Sequence, residues 1–294
     1  MVAKRTLTRV RRLIPLLALV ALLCTTAPAL AKTETKTSGD VTATVTYSGK
    51  NPPFRTAQLK ISQAGLVVFD KAVEMPKDCA GCGLQAPFGR PVMKLRDLDG
   101  DSEPEVLLEL FSGGAHCCSY SLVYRFVQFA NTYERIAWPW GNAGYTLKDL
   151  NRDHRPEFVT GDDRFAYLFT SYADSSFPIT IYQLGEKGFA DVTRKFRSAV
   201  RADARRKLRF YHQALREKRD VRGLLAAFQA DEYLAKRSKQ GWRVLNRAAR
   251  RKQLKSPYGD NTGPTGKRYL RVLKRYLRRW GYAPKSSSTA RAAR

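Results

Sequence analysis

Histidine is scarce in this chain, and only its first segment contains a long hydrophobic run. The 294 residues include three histidines, His116, His154 and His212, and none stands at a recognisable spacing from a nucleophile or a metal partner. After residue 31 no stretch is apolar enough to span a membrane, which takes about 20 residues. The sequence therefore shows no recognisable catalytic constellation and no later candidate for a transmembrane helix.

The first 31 residues have the pattern of a secretory signal peptide. Five cations precede a short apolar run at residues 13–23, and Ala29-Leu30-Ala31 supplies the small residues that are typical of a cleavage site. We expect cleavage after Ala31, which also removes Cys24. The expected location is secreted or extracellular, and the cell surface is a further candidate.

Cysteine is also scarce, and the four that remain after cleavage are Cys79, Cys82, Cys117 and Cys118. An even number of cysteines in an oxidising compartment predicts disulfides. Because a bridge between adjacent cysteines closes a strained ring, we expect at least one bridge between the 79–82 loop and the Cys117-Cys118 pair. A thioredoxin-like redox motif and a four-cysteine zinc site are the alternatives.

Acidic residues are nearly missing from the last third of the chain. Residues 194–294 contain 31 basic and 6 acidic residues, whereas residues 32–193 contain 17 basic and 20 acidic ones. Such an excess of positive charge attracts phosphate- or carboxylate-rich partners. In an exported protein these are anionic cell-wall polymer or a membrane surface rather than nucleic acid, and a solvated basic surface without a partner is the alternative. We expect the clusters at 205–207, 250–252 and 274–279 to lie on exposed faces.

Residue periodicity predicts an α+β protein, with an N-terminal antiparallel β domain followed by a C-terminal α-helical domain. Alternation predicts a strand at residues 41–47. Further strands are predicted at 66–69, 92–95, 106–111, 121–127, 133–138, 145–147, 158–160, 166–170 and 179–184. The predicted units are the signal at 1–31, the β domain at 32–193, the basic helical domain at 194–283 and a disordered tail at 284–294.

Helical spacing of apolar residues predicts four helices after residue 193. The first carries Phe196 to Leu215 after a cap at Asp191 or Thr193, and Asp220 is expected to cap the second. The third lies around 242–248, and the fourth has a stripe from Tyr269 to Trp280. A loop rich in glycine and proline is predicted at 255–266.

One sequence motif occurs twice in the predicted β domain. Phe88-Gly89 precedes an acidic loop at residues 97–105, and Trp140-Gly141 precedes a second one at residues 149–157. Oxygen-bearing side chains stand at positions 1, 3, 5 and 9 of each loop. They are Asp97, Asp99, Asp101 and Glu105 in the first loop, and Asp149, Asn151, Asp153 and Glu157 in the second. This donor pattern suits calcium, which takes six to eight oxygens.

A proline follows each acidic run, Pro104 in the first loop and Pro156 in the second. Proline stops a helix from continuing into the next segment. The pattern therefore favours strand–loop–strand units over EF-hands. Four short strands in each copy are typical of a propeller blade.

The repeated motif resembles the FG-GAP and VCBS repeats of bacterial secreted proteins, over roughly residues 85–193. The resemblance implies a calcium loop in each blade, with the carbonyl groups of Glu103 and Arg155 as additional ligands. A closed propeller needs about four to eight blades, so we expect a stack of two or three antiparallel sheets. The second loop has Arg152, His154 and Arg155 among its ligands, which predicts weaker calcium binding; an acidic turn without metal is the alternative.

These patterns favour an exported, non-enzymatic, calcium-binding β-repeat protein, a binding or surface module whose cationic helices contact an anionic polymer. The family does not fix the function. The alternative is a secreted enzyme of unidentified hydrolytic or thiol-redox type. His116 beside Cys117 is the candidate thiol–base pair, and Glu105 and Glu109 share one face if their strand is regular.

Overall fold

The structure, a computed structural model, describes residues 31–79, 81–86, 91–115, 117–259 and 263–284, and only the backbone of Cys117. The predicted signal up to residue 30, Phe88-Gly89, His116 and the predicted tail from residue 285 lie outside these ranges. Three antiparallel sheets fill the N-terminal two-thirds of the described chain, and four helices follow them. The predicted order of β structure followed by helices is therefore confirmed.

The first sheet has four strands in the order of the sequence. They are β1 (Lys32–Ser38), β2 (Val41–Ser48), β3 (Thr56–Gln63) and β4 (Leu66–Ala72). The alternation predicted at 41–47 holds, since Val41, Ala43, Val45 and Tyr47 are buried and the threonines between them are not. Sequence reasoning missed β1, because this polar edge strand has no apolar alternation to detect.

The second and third sheets contain the two acidic loops. The second sheet consists of β5 (Gly83–Leu84), β6 (Met93–Arg96), β7 (Glu105–Gly114), β8 (Cys117–Val127) and β9 (Thr132–Gly141). The third consists of β10 (Thr146–Lys148), β11 (Glu157–Gly161), β12 (Ile179–Gly185) and β13 (Gly188–Asp191). Each acidic loop thus joins the first two of four consecutive antiparallel strands, β6–β9 and β10–β13.

The strand predicted at 166–170 is wrong. Residues 166–170 instead form a turn and bends between a 3-10 turn at Asp163–Phe165 and a second one at Tyr172–Asp174. Phe169 in this segment and Phe165 just before it are buried against the helices. A short apolar run of this kind has no periodicity that separates a strand from an irregular core segment.

The four helices are α1 (Arg197–Arg216), α2 (Arg222–Leu234), α3 (Ser238–Arg250) and α4 (Gly266–Arg279). The predicted cap at Asp191 or Thr193 is wrong, because a 3-10 turn at Thr193–Lys195 intervenes and Phe196 precedes the helix. The Asp220 carboxylate does accept a hydrogen bond from the first amide of α2, that of Arg222, at 2.9 Å. Within the described residues no helix is both long and apolar enough to cross a membrane.

The helices share one hydrophobic core with the third sheet. Ile179 and Ile181 of β12 belong to the same cluster as Leu225 of α2 and Leu273 of α4. The Ile179 amide also donates to the Asp231 carboxylate of α2 at 3.0 Å. The change in charge at residue 194 is therefore not a boundary in packing.

One cation of the predicted cluster at 205–207 is not on the surface. Lys207 is 3% exposed, and its ammonium group lies between the carboxylates of Asp203 and Asp231. Arg205 and Arg206 are exposed as expected. The prediction is wrong for Lys207 because α1 and α2 pack together at this point and enclose the three charges.

The two ends of the β region differ in character. In the second sheet Val106 pairs with Tyr124, and Tyr124 pairs with Arg135, so the first loop and the β8–β9 turn lie at one end. We call it the loop end. The chain leaves β13 for the helices at the opposite end of the third sheet, the helical end.

Candidate metal centre

Each acidic loop connects two paired antiparallel strands. The first loop, residues 97–105, runs from β6 to β7, where Arg96 pairs with Glu105. The second loop, residues 149–157, runs from β10 to β11, where Lys148 pairs with Glu157. The predicted strand–loop–strand arrangement is present in both copies.

Hydrogen bonds from backbone amides to carboxylates hold the turns of the first loop. Asp97 accepts hydrogen bonds from the amides of Gly100 at 2.7 Å and Ser102 at 3.0 Å. Asp101 accepts one from the amide of Glu103 at 2.8 Å. Gly100 has a φ of +85°, a conformation that glycine adopts without steric cost. These local bonds turn the acidic side chains inward.

Three carboxylates converge in the first loop. Asp97, Asp99 and Glu105 each offer one oxygen, and these oxygens lie within 4.8 Å of one another. Asp97 and Asp99 are half-buried, and Glu105 is 1% exposed. Oxygen donors at this spacing are the ligands that a hard cation prefers.

Glu105 is only half satisfied by the protein. Its Oε2 accepts a hydrogen bond from the Leu98 amide at 2.6 Å, whereas its buried Oε1 has no hydrogen-bond partner. Burial and, next, the charge of Asp99 raise the pKa of Glu105 to about 9. Burial and the charge of Asp101 also raise the pKa of Asp99. Since buried polar atoms are normally paired, the loop has both an unused ligand atom and an excess of negative charge.

The side chain of Glu103 braces the first loop from outside. It accepts hydrogen bonds from Gln63 Nε2 at 2.9 Å and from the Tyr133 hydroxyl at 3.4 Å. Burial raises its pKa. The side chain is thus engaged with β3 and β9, and the expected role of Glu103 as a ligand concerns its carbonyl group.

The second loop has the same kind of amide-to-carboxylate hydrogen bonds. Asp149 accepts hydrogen bonds from the amides of Asp153 at 3.1 Å and His154 at 3.0 Å. Arg152 and His154 have φ values of +63° and +67°, at the positions of Gly100 and Ser102 in the first loop. A left-handed arginine is less favourable than a left-handed glycine. The repeat therefore preserves the backbone conformation at some cost in strain.

The carboxylates of the second loop already have partners. Asn151 donates to Asp153 Oδ2 at 2.7 Å, and the Arg155 amide donates to Asp153 Oδ1 at 2.9 Å. Hydrogen bonding, first from the Arg155 amide, lowers the pKa of Asp153. Glu157 accepts from the Leu150 amide at 2.8 Å and from Gln183 at 3.4 Å. In the part of the chain that the structure describes, only the first loop forms a group of three converging acidic ligands.

The side chain of Arg155 joins the two loops. Its Cδ lies 3.2 Å from the place that a Cβ on Gly100 would occupy, and its guanidinium donates to the Leu184 carbonyl of β12. Its buried Nε has no hydrogen-bond partner. Sequence reasoning assigned Arg155 a role through its carbonyl group alone. The contact with Gly100 was not predictable, because spacing within one loop says nothing about the neighbouring loop.

A buried polar network holds the second sheet against the segment before β10. Glu109 accepts hydrogen bonds from Tyr145 at 2.5 Å and Ser121 at 3.2 Å and forms an ion pair with Lys94. Trp140 Nε1 donates to Ser121 at 2.8 Å, and the Trp140 ring stacks on Phe158. Trp140, the aromatic residue of the second copy of the motif, is therefore a buried core residue. Glu109 and Glu105 have separate partners and do not form a pair.

The predicted disulfide between the two cysteine pairs is wrong. Cys79 is bonded to Cys82, with their Cα atoms 5.4 Å apart, and Cys118 belongs to another disulfide. A tight turn makes the local bridge possible, since the Cys82 amide donates to the Cys79 carbonyl. The strand β5 follows Cys82 directly. The helix N-terminus that activates thiols in thioredoxin-like motifs is therefore not at this position.

A large cleft lies away from the two acidic loops. It has a volume of about 890 Å³ and opens between the third sheet and the end of α4. Its carboxylate Asp162 is engaged by Arg164 and by the Tyr282 hydroxyl at 2.6 Å. Asp163 accepts two hydrogen bonds from Asn142. The two described histidines are elsewhere, His154 in the second loop and His212 on α1. Neither of these two histidines lines the described cleft.

Two bacterial proteins resemble this chain. A probable thylakoid lumen protein of Synechocystis is 27% identical over 216 residues, which cover 70% of this chain and 60% of that protein. An uncharacterized protein of Sinorhizobium fredii is 28% identical over 148 residues, or 49% of this chain and 23% of that protein. The matched region is thus less than two-thirds of either relative. No family model matches the chain, and no solved structure does.

Proposed function

We propose that this protein is an exported, non-enzymatic β-repeat module of the FG-GAP/VCBS type. Its first loop binds one structural calcium ion, and its cationic helices contact an anionic polymer. The observation that carries the calcium proposal is the unpartnered, buried Oε1 of Glu105 beside Asp97 and Asp99. A divalent cation supplies the missing partner and favours the ionised carboxylates, which opposes the rise in pKa that burial and the neighbouring carboxylates cause.

The donor set favours calcium over other metals. Side-chain oxygens of Asp97, Asp99, Asp101 and Glu105, with the Glu103 carbonyl, would hold the ion. These donors include neither nitrogen nor sulfur, which zinc and copper prefer. An irregular loop with several carboxylates suits the variable coordination of calcium better than the strict octahedron of magnesium. The second loop, whose carboxylates are already paired, binds calcium weakly.

The second part of the proposal rests on unpaired cations. The acidic side chains described in residues 194–284 all form ion pairs with cations of α1, α2 or the segments that flank them. None pairs with α4. Its outer face, which we call the α4 cationic face, is exposed and consists of Lys267, Arg268, Arg271, Lys274, Arg275, Arg278 and Arg279.

Burial orients this face. Tyr269, Leu273 and Leu277 of α4 point into the core, so the cations of the helix must point outward. A row of unneutralised charges on a rigid helix attracts a polyanion through the release of its counterions. The α4 cationic face is therefore the contact surface that we propose for anionic wall polymer.

Export is supported by two independent observations. The first 31 residues have the pattern of a signal peptide, and one relative is named a probable thylakoid lumen protein, which places that protein beyond a membrane. The paired cysteines agree with an oxidising compartment. We propose a secreted or extracellular location.

Calorimetric titration of the chain from residue 32 with calcium tests the proposal. We expect one tight binding event, and Asp97→Asn with Asp101→Asn should remove it. The matched control, Asp149→Asn with Asp153→Asn, changes the same residue types in the second loop and should retain it. Absence of calcium binding by the unmodified chain, or equal loss in both double variants, would contradict the proposal.

A further inference from the structure

Three large apolar side chains project into solvent at the loop end. Phe129 is 93% exposed, Leu66 is 73% exposed and Val67 is 52% exposed. They lie at two neighbouring turns, one between β3 and β4 and one between β8 and β9. Exposed apolar side chains are common singly, but a group at one end of a molecule marks a contact surface.

Local backbone geometry places these side chains at the tips. Ala64 and Gly65 have φ values of +48° and +82°, as in the two-residue turns that close tight hairpins, and Leu66 follows directly. Phe129 is the middle residue of a 3-10 turn that ends at Asn131 with φ +45°. Both tips are convex, and their side chains point away from the sheets that carry them.

The first loop is tied to both apolar turns. Glu103 accepts hydrogen bonds from Gln63, which precedes the first turn, and from Tyr133, which follows the second. The Thr132 hydroxyl also donates to the Val68 carbonyl at 3.5 Å, which joins β9 to β4. These hydrogen bonds therefore connect the candidate calcium site to the turns that carry the exposed apolar side chains.

The charge of the loop end depends on whether calcium is bound in the first loop. The acidic residues of the first loop and Asp40, in the β1–β2 turn, bring negative charge to the loop end, and Arg125 and Arg155 beside the loop offset part of it. A bound calcium ion reduces that charge and offers open coordination positions to phosphate oxygens. The cationic helices lie at the other end, so they do not provide this attraction.

We propose that the loop end docks on an anionic phospholipid bilayer when calcium is bound. Phe129, Leu66 and Val67 enter the interfacial apolar layer, and lipid phosphates approach the ion in the first loop. A bilayer fits better than a polysaccharide, because it offers both an apolar phase and phosphate groups. Single side chains on convex tips suit a soft surface and do not need a complementary groove. This inference rests on the proposed calcium site.

Sedimentation with lipid vesicles tests the docking. The chain from residue 32 is mixed with phosphatidylcholine–phosphatidylglycerol vesicles, with calcium or with a chelator, and with vesicles of phosphatidylcholine alone. We expect calcium to increase binding to the anionic vesicles only. Phe129→Ser with Leu66→Ser should reduce the calcium-dependent part about tenfold or more, since two large apolar side chains lose their burial.

The matched control is Phe210→Ser, which removes an exposed aromatic ring from α1. It should leave the calcium-dependent binding unchanged. Calcium titration of the tip variant without vesicles should be normal, which shows that the variant is folded and that its metal site is intact. Vesicle binding through the cationic helices is measured in the chelator arm. Calcium weakens this contribution, since it screens the anionic headgroups, so an increase with calcium is assigned to the loop end.

The outcomes separate the two proposals. Normal calcium binding in solution without any calcium-dependent vesicle binding would overturn the docking alone. No calcium binding in solution would overturn the metal site, on which the docking rests. Equal vesicle binding by the tip variant and the unmodified chain would show that the tips do not enter the bilayer. Calcium-dependent self-association that disappears in the tip variant would identify a second copy as the occupant and overturn the lipid assignment.

Discussion

Replacing Glu105 with glutamine should raise the stability of the calcium-free protein and abolish its stabilisation by calcium. Glu105 is 1% exposed, and its pKa rises from 4.5 to about 9, first through burial and then through the charge of Asp99. At pH 7 the unfolded chain ionises this carboxyl, whereas the metal-free native protein keeps it protonated. The folded state therefore loses stability as the pH rises above 4.5, because the unfolded state alone releases the proton.

The magnitude follows from the distance between pH 7 and the ordinary pKa. At 1.36 kcal/mol for each pH unit, the penalty at pH 7 is about 3 kcal/mol. Glutamine ionises in neither state, so Glu105→Gln should stabilise the metal-free protein by up to about 3 kcal/mol. Its amide oxygen can still accept from the Leu98 amide, and its NH2 group faces the carboxylates of Asp97 and Asp99, which accept hydrogen bonds.

Thermal unfolding followed by circular dichroism, in chelator and in calcium, measures both effects. The variant should melt several degrees higher than the unmodified chain in chelator, and the difference should grow from pH 4.5 toward pH 9. In calcium the unmodified chain should gain stability by mass action, while the variant should not. Glu157→Gln is the matched control: burial also raises the pKa of Glu157, but both of its oxygens have partners, so this variant should keep the calcium response.

A variant that melts lower than the unmodified chain in chelator would refute this reasoning. It would show that Glu105 already has a satisfactory partner in the metal-free protein. A full calcium response in the variant would refute the assignment of Glu105 as a ligand.

Three further predictions concern other parts of the molecule. Arg271→Glu with Arg275→Glu should strongly weaken binding to poly(glycerol phosphate) at low salt, whereas Lys60→Glu with Lys77→Glu should not; equal effects in a salt series would mean that net charge alone matters. Lys207→Met should lower the free energy of unfolding by about 3–5 kcal/mol, because it leaves Asp231 buried without a cation and leaves Asp203 with Arg206 alone; denaturant unfolding with no change would contradict this. Cys79→Ser with Cys82→Ser should cost about 2 kcal/mol, since the closed loop is short, and a loss of all folded signal would show a larger role.

The sequence predicted those features that depend on local patterns. The acidic loops could be recognised because their oxygens repeat at fixed positions and a proline precedes each following strand. The stripe from Tyr269 to Trp280 predicted α4, since helical periodicity over several turns is a strong signal. Both features are determined by residues that lie close together in the chain.

Features that depend on distant contacts were not predictable. Arg155 contacts Gly100, and Glu103 is bonded to Gln63, which are contacts between different strands and loops. The unpartnered Oε1 of Glu105 is likewise a property of packing. The disulfide prediction failed because spacing does not determine how four cysteines pair.

Anomalous diffraction from crystals of the chain from residue 32, grown with calcium, tests the central claim most directly. We predict an anomalous peak in the first loop, with Asp97, Asp99 and the Oε1 of Glu105 within 2.3–2.6 Å, the usual range of calcium–oxygen distances. A first loop without a peak, in which Oε1 of Glu105 is hydrogen-bonded to water or to a protein group, would contradict the account.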